Sequence, residues 1–221
     1  MTRERILQAA ATLFAAKGYS GTRTREIAEA VGIRQPSLFH HFPSKAAIAE
    51  ALLEHSLAGI VAPVHALTES REPAASRLYG FLYADTIFLA TSPYDLGGLQ
   101  ADDIRQEPRF AGWTAELNRL HAAVAELVRQ GIASEQFVAL DPAFAARAIS
   151  GLALMTISTY HAESPAWAAQ FADDVATFAL RSLLAAQSGL PLARRDGVQI
   201  AERLQRDRAA HRAGLASGPT G

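Results

Sequence analysis

Gln35, Ser37, Phe39, His40 and His41 fall on the outward face of a short predicted helix whose first turn holds Pro36. Amide, hydroxyl and imidazole groups at that spacing can hydrogen-bond base edges and phosphates, and a purely structural hairpin would more often carry Glu and Lys there. Other chemistries find little support. The seven histidines (40, 41, 55, 65, 121, 161, 211) include no H-x-x-x-H pair, and Cys is absent, so no metal site is expected. Neither a Gly-rich phosphate loop nor a G-x-S-x-G elbow occurs, and no cofactor is expected. A helical enzyme or cofactor-binding protein with an accidental helix pair is therefore the weaker reading.

The elements that must hold these side chains are all helical. Ile6, Ala9, Ala10, Leu13 and Phe14 recur at helical spacing, predicting a helix over 3–17 that ends at Gly18. A short helix follows over 24–31, with Ile27, Ala28 and Val31 inward, and Gly32 supplies the positive-φ residue of a tight turn. The next short helix runs from Pro36, where the missing N–H costs nothing, and Leu38 and Phe42 return its apolar face. Pro43-Ser44-Lys45 then opens a helix over about 45–60. Pro73, Pro108, Asp141-Pro142 and Ser164-Pro165 open longer helices ending near Ala90, Gly131, Tyr160 and Gln187.

Three ranges follow: a helix-turn-helix head (1–47), a larger helical domain (48–187) and a basic tail (188–221) expected to be mobile. The net charge of −1 conceals +4 on the head, −8 on the middle and +3 on the tail, and a basic head on an acidic body suits contact with phosphate at one end. The absence of Cys fits a reducing cytoplasm. The first residues lack the apolar run of a signal peptide, and no 18 consecutive apolar residues occur to span a membrane.

The stretch Gly18–Lys45 resembles the DNA-binding signature of the tetracycline-repressor (TetR) family, over about residues 3–55. The resemblance implies an all-α chain: an N-terminal three-helix helix-turn-helix domain and a larger C-terminal helical ligand-binding and dimerisation domain. It implies a ligand-responsive regulator, by default a repressor, that binds a near-palindromic operator as a dimer and is released by a small molecule; an activator is the alternative. Carried over by position, Thr24 and Arg25 contact backbone and bases. Gln35, Pro36, Ser37, Phe39, His40 and His41 form the recognition set, and Lys45 meets a phosphate. Gln35 suits adenine and Pro36 a thymine methyl. For His40 and His41, contact competes with internal packing of one of the pair.

The chain departs from the family pattern in three places. Arg23 and Arg34 stand at helix starts where a hydroxyl is usual, so Thr22 or Thr24 is expected to cap and Arg23 and Arg34 to face phosphate. Phe39 replaces the usual Tyr.

In the larger domain Leu78, Phe81, Leu82, Phe88 and Leu89 share one helical arc with Asp85 at its centre. A carboxylate there needs a partner or a proton. Two readings stay open: pairing with Arg119, Arg147 or a hydroxyl, or anchoring an effector in a cavity shared with Tyr79, Leu82, Tyr83, Thr86, Trp113, Leu117, His121 and Met155. Segment 143–160 is apolar or small nearly all round (Phe144, Ala148, Ile149, Gly151, Leu152, Leu154, Met155, Ile157), and Trp167, Phe171, Val175 and Phe178 follow on the next helix. A homodimer face over about 143–187 is expected, the alternative being completion of the monomer core.

Overall fold

The computed structural model describes residues 2–100, 102–159 and 164–216. Among them the chain is helical throughout apart from connections and one isolated bridge pairing Phe137 with Leu184. It divides into two compact units, Met1–Leu57 with Ser92–Ala115, and Ala58–Thr91 with Glu116–Gly221.

The first unit begins with α1 (Thr2–Gly21), whose regular course breaks at Gly18 (φ 74), where the sequence placed its end. Then come α2 (Thr24–Val31), α3 (Gln35–His41) and α4 (Lys45–Leu57). Ile6, Ala10 and Phe14 of α1, Ile27 and Val31 of α2, Leu38 of α3, and Ile48 and Leu52 of α4 are each at most 4% exposed. Burying each of the larger of these side chains contributes about 1.5–3 kcal/mol. The segment 92–115 joins the same core through Leu96, Leu99, Ile104 and Phe110. Its short α7 (Asp102–Arg105) presents Asp103, whose Oδ2 accepts the Ser20 N–H at 2.7 Å. The unit thus extends beyond the 1–47 range, since all of α4 and the downstream segment Ser92–Ala115 complete its core.

The second unit holds α5 (Val61–Thr68), α6 (Ala74–Ala90), α9 (Pro142–Thr159), α10 (Pro165–Leu183), α11 (Leu190–Ala216) and most of α8 (Ala111–Ala133). The helix starts obey local rules. Asp141 Oδ1 accepts the Ala143 N–H and Ser164 Oγ the Trp167 N–H, each followed by Pro in the first turn. α6 is the central helix, buried from Ala74 through Leu82 and packed chiefly against α11 and α10. The apolar stretch Lys45–Thr68 has the length and composition of a membrane-crossing segment, but its helix breaks at Gly59 (φ 68) into α4 and α5.

The tail corrects an expectation. Leu190–Ala216 is a helix of 27 residues, not a mobile segment. Ala193, Gly197, Ile200, Ala201, Leu204 and Arg208 make one buried face on it. That face is thin in apolar volume because small residues let α11 approach α6 closely. A Cβ on Gly80 would lie 2.7 Å from the Ile200 side chain and 2.8 Å from the Gly197 carbonyl oxygen.

Candidate nucleic-acid interface

Helices α2 and α3 are joined by a tight turn in which Gly32 takes a left-handed conformation. Gly32 takes φ 74, its N–H donates to Glu29 O, and the Ile33 N–H reaches back to Ala28 O, both at 3.0 Å. This end motif satisfies two carbonyls of α2 and redirects the chain into α3. At the start of α2, Arg23 offers no cap. Nor does a threonine: Thr22 is buried and donates to Leu13 O and Gly18 O, and the Thr24 hydroxyl accepts from Gln35. Glu26 performs half of a capping box instead, accepting the Arg23 N–H at 2.8 Å. Lys17 at 2.5 Å and that N–H hold the Glu26 carboxyl below the usual carboxylate range.

On α3, Leu38 is fully buried while Gln35, Pro36, Ser37, Phe39, His40 and His41 are all exposed. Phe39 keeps 43% of its surface in solvent, unusual for a phenylalanine without a partner surface. Both histidines are exposed, so neither packs internally. Gln35 Nε2 donates to Thr24 Oγ1 at 2.9 Å, which ties the first residues of α2 and α3 together and leaves an N–H and the carbonyl oxygen for a base edge.

The bases of this unit divide by role. Arg5 donates to Val31 O at 2.8 Å and Arg3 lies over the Phe42 ring, so both brace the fold. Arg23 and Arg34 are exposed at the starts of α2 and α3. Arg25 is exposed and pairs with Glu29 one turn on, which raises its pKa. Lys45 points inward: its ammonium donates to Tyr19 O and Thr22 O at 2.6 and 2.9 Å and sits over the Tyr19 ring. Burial pulls its pKa below the usual lysine range, and Asp103 pushes back. Two of its three N–H bonds thus hold the loop before α2, a role that spacing alone did not reveal.

The residues expected to line an effector cavity are distributed differently. Asp85 does not reach Arg119 or Arg147; its Oδ1 accepts from Arg208 Nη1 at 3.1 Å, both side chains being buried. Burial raises the Asp85 pKa and Arg208 opposes the rise. Tyr79 is fully buried, its hydroxyl bonded to Asp173, which Arg194 also pairs. Leu82 and Thr86 are buried, Leu117 and His121 half-buried, and Met155 46% exposed. Trp113 belongs to the first unit, where its Nε1 donates to Ser56 Oγ. None of these residues lines two clefts found in the second unit. One, of about 380 Å³, has Pro63, Leu67, Ile200 and Leu204 in its walls with Arg203, Arg206 and Asp207. The other, of about 370 Å³, lies among Pro73, Ser76, Gln136, Leu184 and Leu192. On α9 and α10, Phe144 and Phe178 are each 66% exposed, and a Cβ on Gly151 would meet nothing within 4 Å. Leu154 and Ile157 lie outside the described side chains.

Known proteins place this arrangement. A family model described as bacterial regulatory proteins, tetR family, matches residues 6–52, the α1–α4 region. The repressor KstR2 of Mycolicibacterium smegmatis is 34% identical over 82 residues, 37% of this chain and 40% of that protein. The regulator RutR of Escherichia coli K12 is 38% identical over 74 residues, 34% of this chain and 35% of that one. The chain thus spans about two fifths or less of the length of these curated relatives. The crystal structure of Mycobacterium smegmatis AmtR superposes with a TM-score of 0.68 at 30% identity, covering 92% of this chain and 94% of that one. With its helix-turn-helix, its all-helical second unit and these relatives, the chain belongs to the tetR family of bacterial regulatory proteins.

Proposed function

We propose that this chain is a ligand-responsive transcriptional repressor that binds a near-palindromic operator as a homodimer and leaves it when a small molecule binds the helical unit. The observation that carries the reading is the exposed face of α3, an aromatic, amide and imidazole surface on a unit built to fix its pitch against α2. In that role Gln35 and Pro36 read bases with Ser37, Phe39, His40 and His41. Thr24 and Arg25 meet backbone and base edges, Arg23 and Arg34 face phosphate, and Lys45 has one N–H left for a phosphate. The exposed phenylalanines of α9 and α10 support dimerisation through about residues 143–187, an apolar surface that a monomer would leave in water. The cleft between α5 and α11 falls within the size range of small-molecule sites and offers apolar walls with a few charged groups. The cytoplasm is its compartment, and the function has no catalytic step.

The test is selection of random DNA by the purified protein. Two to four neutralised phosphates per subunit correspond to a slope of log K against log salt of about −4 to −7 for a dimer. Gln35→Ala is expected to relax base preference at one position of each half-site. A slope shallower than about −2, or unchanged preference in Gln35→Ala, refutes the interface.

A further inference from the structure

Arg208 is buried, although it stands on a helix rich in exposed charge. Its guanidinium makes directed contacts with Ala58, Asp85 and Phe88. Nε donates to Ala58 O at 2.7 Å, Nη1 to Asp85 Oδ1 at 3.1 Å, and Cζ lies 3.2 Å from the Phe88 ring centre. Ala58 is the first residue after α4, and Ala58–Gly59 is where the chain leaves the unit carrying α3. Gly59 adopts φ 68, and a Cβ there would stand 3.1 Å from Arg208 Cα and 3.2 Å from His211 Cβ. Turn and α11 are therefore fitted to each other at backbone distance.

Cohesion alone does not call for this chemistry. Well-packed apolar residues of similar volume stabilise a core as well as a buried ion pair. An arginine adds a rigid fork of donors, which can hold a carboxylate and a backbone carbonyl in fixed directions at once, as a lysine cannot. Here the fork joins the central helix α6 to the Ala58 carbonyl in the turn that follows α4.

We infer that Arg208 is a positioning residue for operator binding: α11 clamps the Ala58–Gly59 turn from which α4 returns to the DNA-reading helices. The inference rests on the function proposed above. When the fork is lost, the turn gains freedom, more arrangements of the head become accessible, and the arrangement competent for DNA is a smaller fraction of the whole.

The variant Asp85→Leu/Arg208→Met replaces the pair with apolar side chains and removes the hold on Ala58 O; Arg208→Lys keeps the charge but not the fork. Hydrogen exchange of the full-length protein, followed at the amides of residues 59–62 and 64, reads the clamp directly. Fluorescence anisotropy with a duplex selected by the wild-type protein reads its consequence. In both variants exchange is expected to quicken by about tenfold in this segment with the α1–α3 amides unchanged, and duplex affinity to fall by about three- to tenfold. Unchanged exchange in both variants overturns the clamp. Faster exchange with unchanged affinity overturns the positioning role. A wild-type protein that selects no DNA refutes the proposed function and, with it, that role, while the exchange arm separately decides whether Arg208 holds the turn.

Discussion

Replacing Gly80 with Ala sets two effects of opposite sign against each other. Gly80 lies in the middle of α6, where Ala is the better helix former by about 1 kcal/mol. The added methyl would meet Ile200 at 2.7 Å and the Gly197 carbonyl oxygen at 2.8 Å. Real Cβ atoms do not approach that closely, and one of the obstacles is backbone, so α11 must shift as a whole. Overpacking of this kind costs about 1–3 kcal/mol, or more where backbone resists. Steric cost is expected to win, leaving Gly80→Ala destabilised by about 1–2 kcal/mol, which for a chain of this size lowers Tm by about 3–6 °C. Thermal unfolding followed by circular dichroism measures this. The opposite sign, a rise of about 2–4 °C, is what helix propensity alone would give if α11 were not docked on α6, and would refute the packing described here.

Three further outcomes follow from the same geometry. Burial raises the Asp85 pKa above its value in an unfolded chain, so the native state holds the proton more tightly and the stability due to this group falls as pH rises from about 4 through the raised value. Asp85→Asn is expected to remove that dependence, so that its Tm relative to wild type improves from pH 4 towards pH 7; a relative Tm that worsens over that window refutes the assignment. Lys45→Met takes the ammonium donor from Thr22 O and leaves Tyr19 O with the Thr22 N–H, and is expected to cost about 1–3 kcal/mol by urea unfolding. If it weakens DNA binding with no loss of stability, Lys45 acts on phosphate alone. Gly151→Leu places a bulky side chain on the open face of α9 and is expected to yield monomers in sedimentation analysis; persistence of a normal dimer would put the interface elsewhere.

The order of helices was legible wherever a local signal fixed it. Gly18 broke the course of α1, Gly32 ended α2, and Asp141-Pro142 and Ser164-Pro165 started α9 and α10 at the residues the sequence indicated. Such signals are short-range, because caps and positive-φ turns depend on a few neighbouring groups. The outward face of α3 was legible for the same reason, since Leu38 and Phe42 fix its inward side by spacing alone.

Partners distant in sequence were not legible. Nothing near Lys45 announces that its ammonium turns inward to Tyr19 and Thr22, and nothing near Ser20 announces Asp103, 83 residues away. Asp85 declared that it needed a partner, but the choice among arginines belonged to the packing of α11, on whose buried face Ala193, Gly197 and Ala201 stand among larger residues. Small residues carry little apolar surface, so a periodicity weighted by hydrophobicity discounts them. Yet it is their smallness that lets two backbones meet and brings Arg208 to Asp85 and Ala58. Local chemistry along the chain determined the helices and the outward face of α3; which charges meet inside the protein was decided only when helices remote in sequence closed on one another.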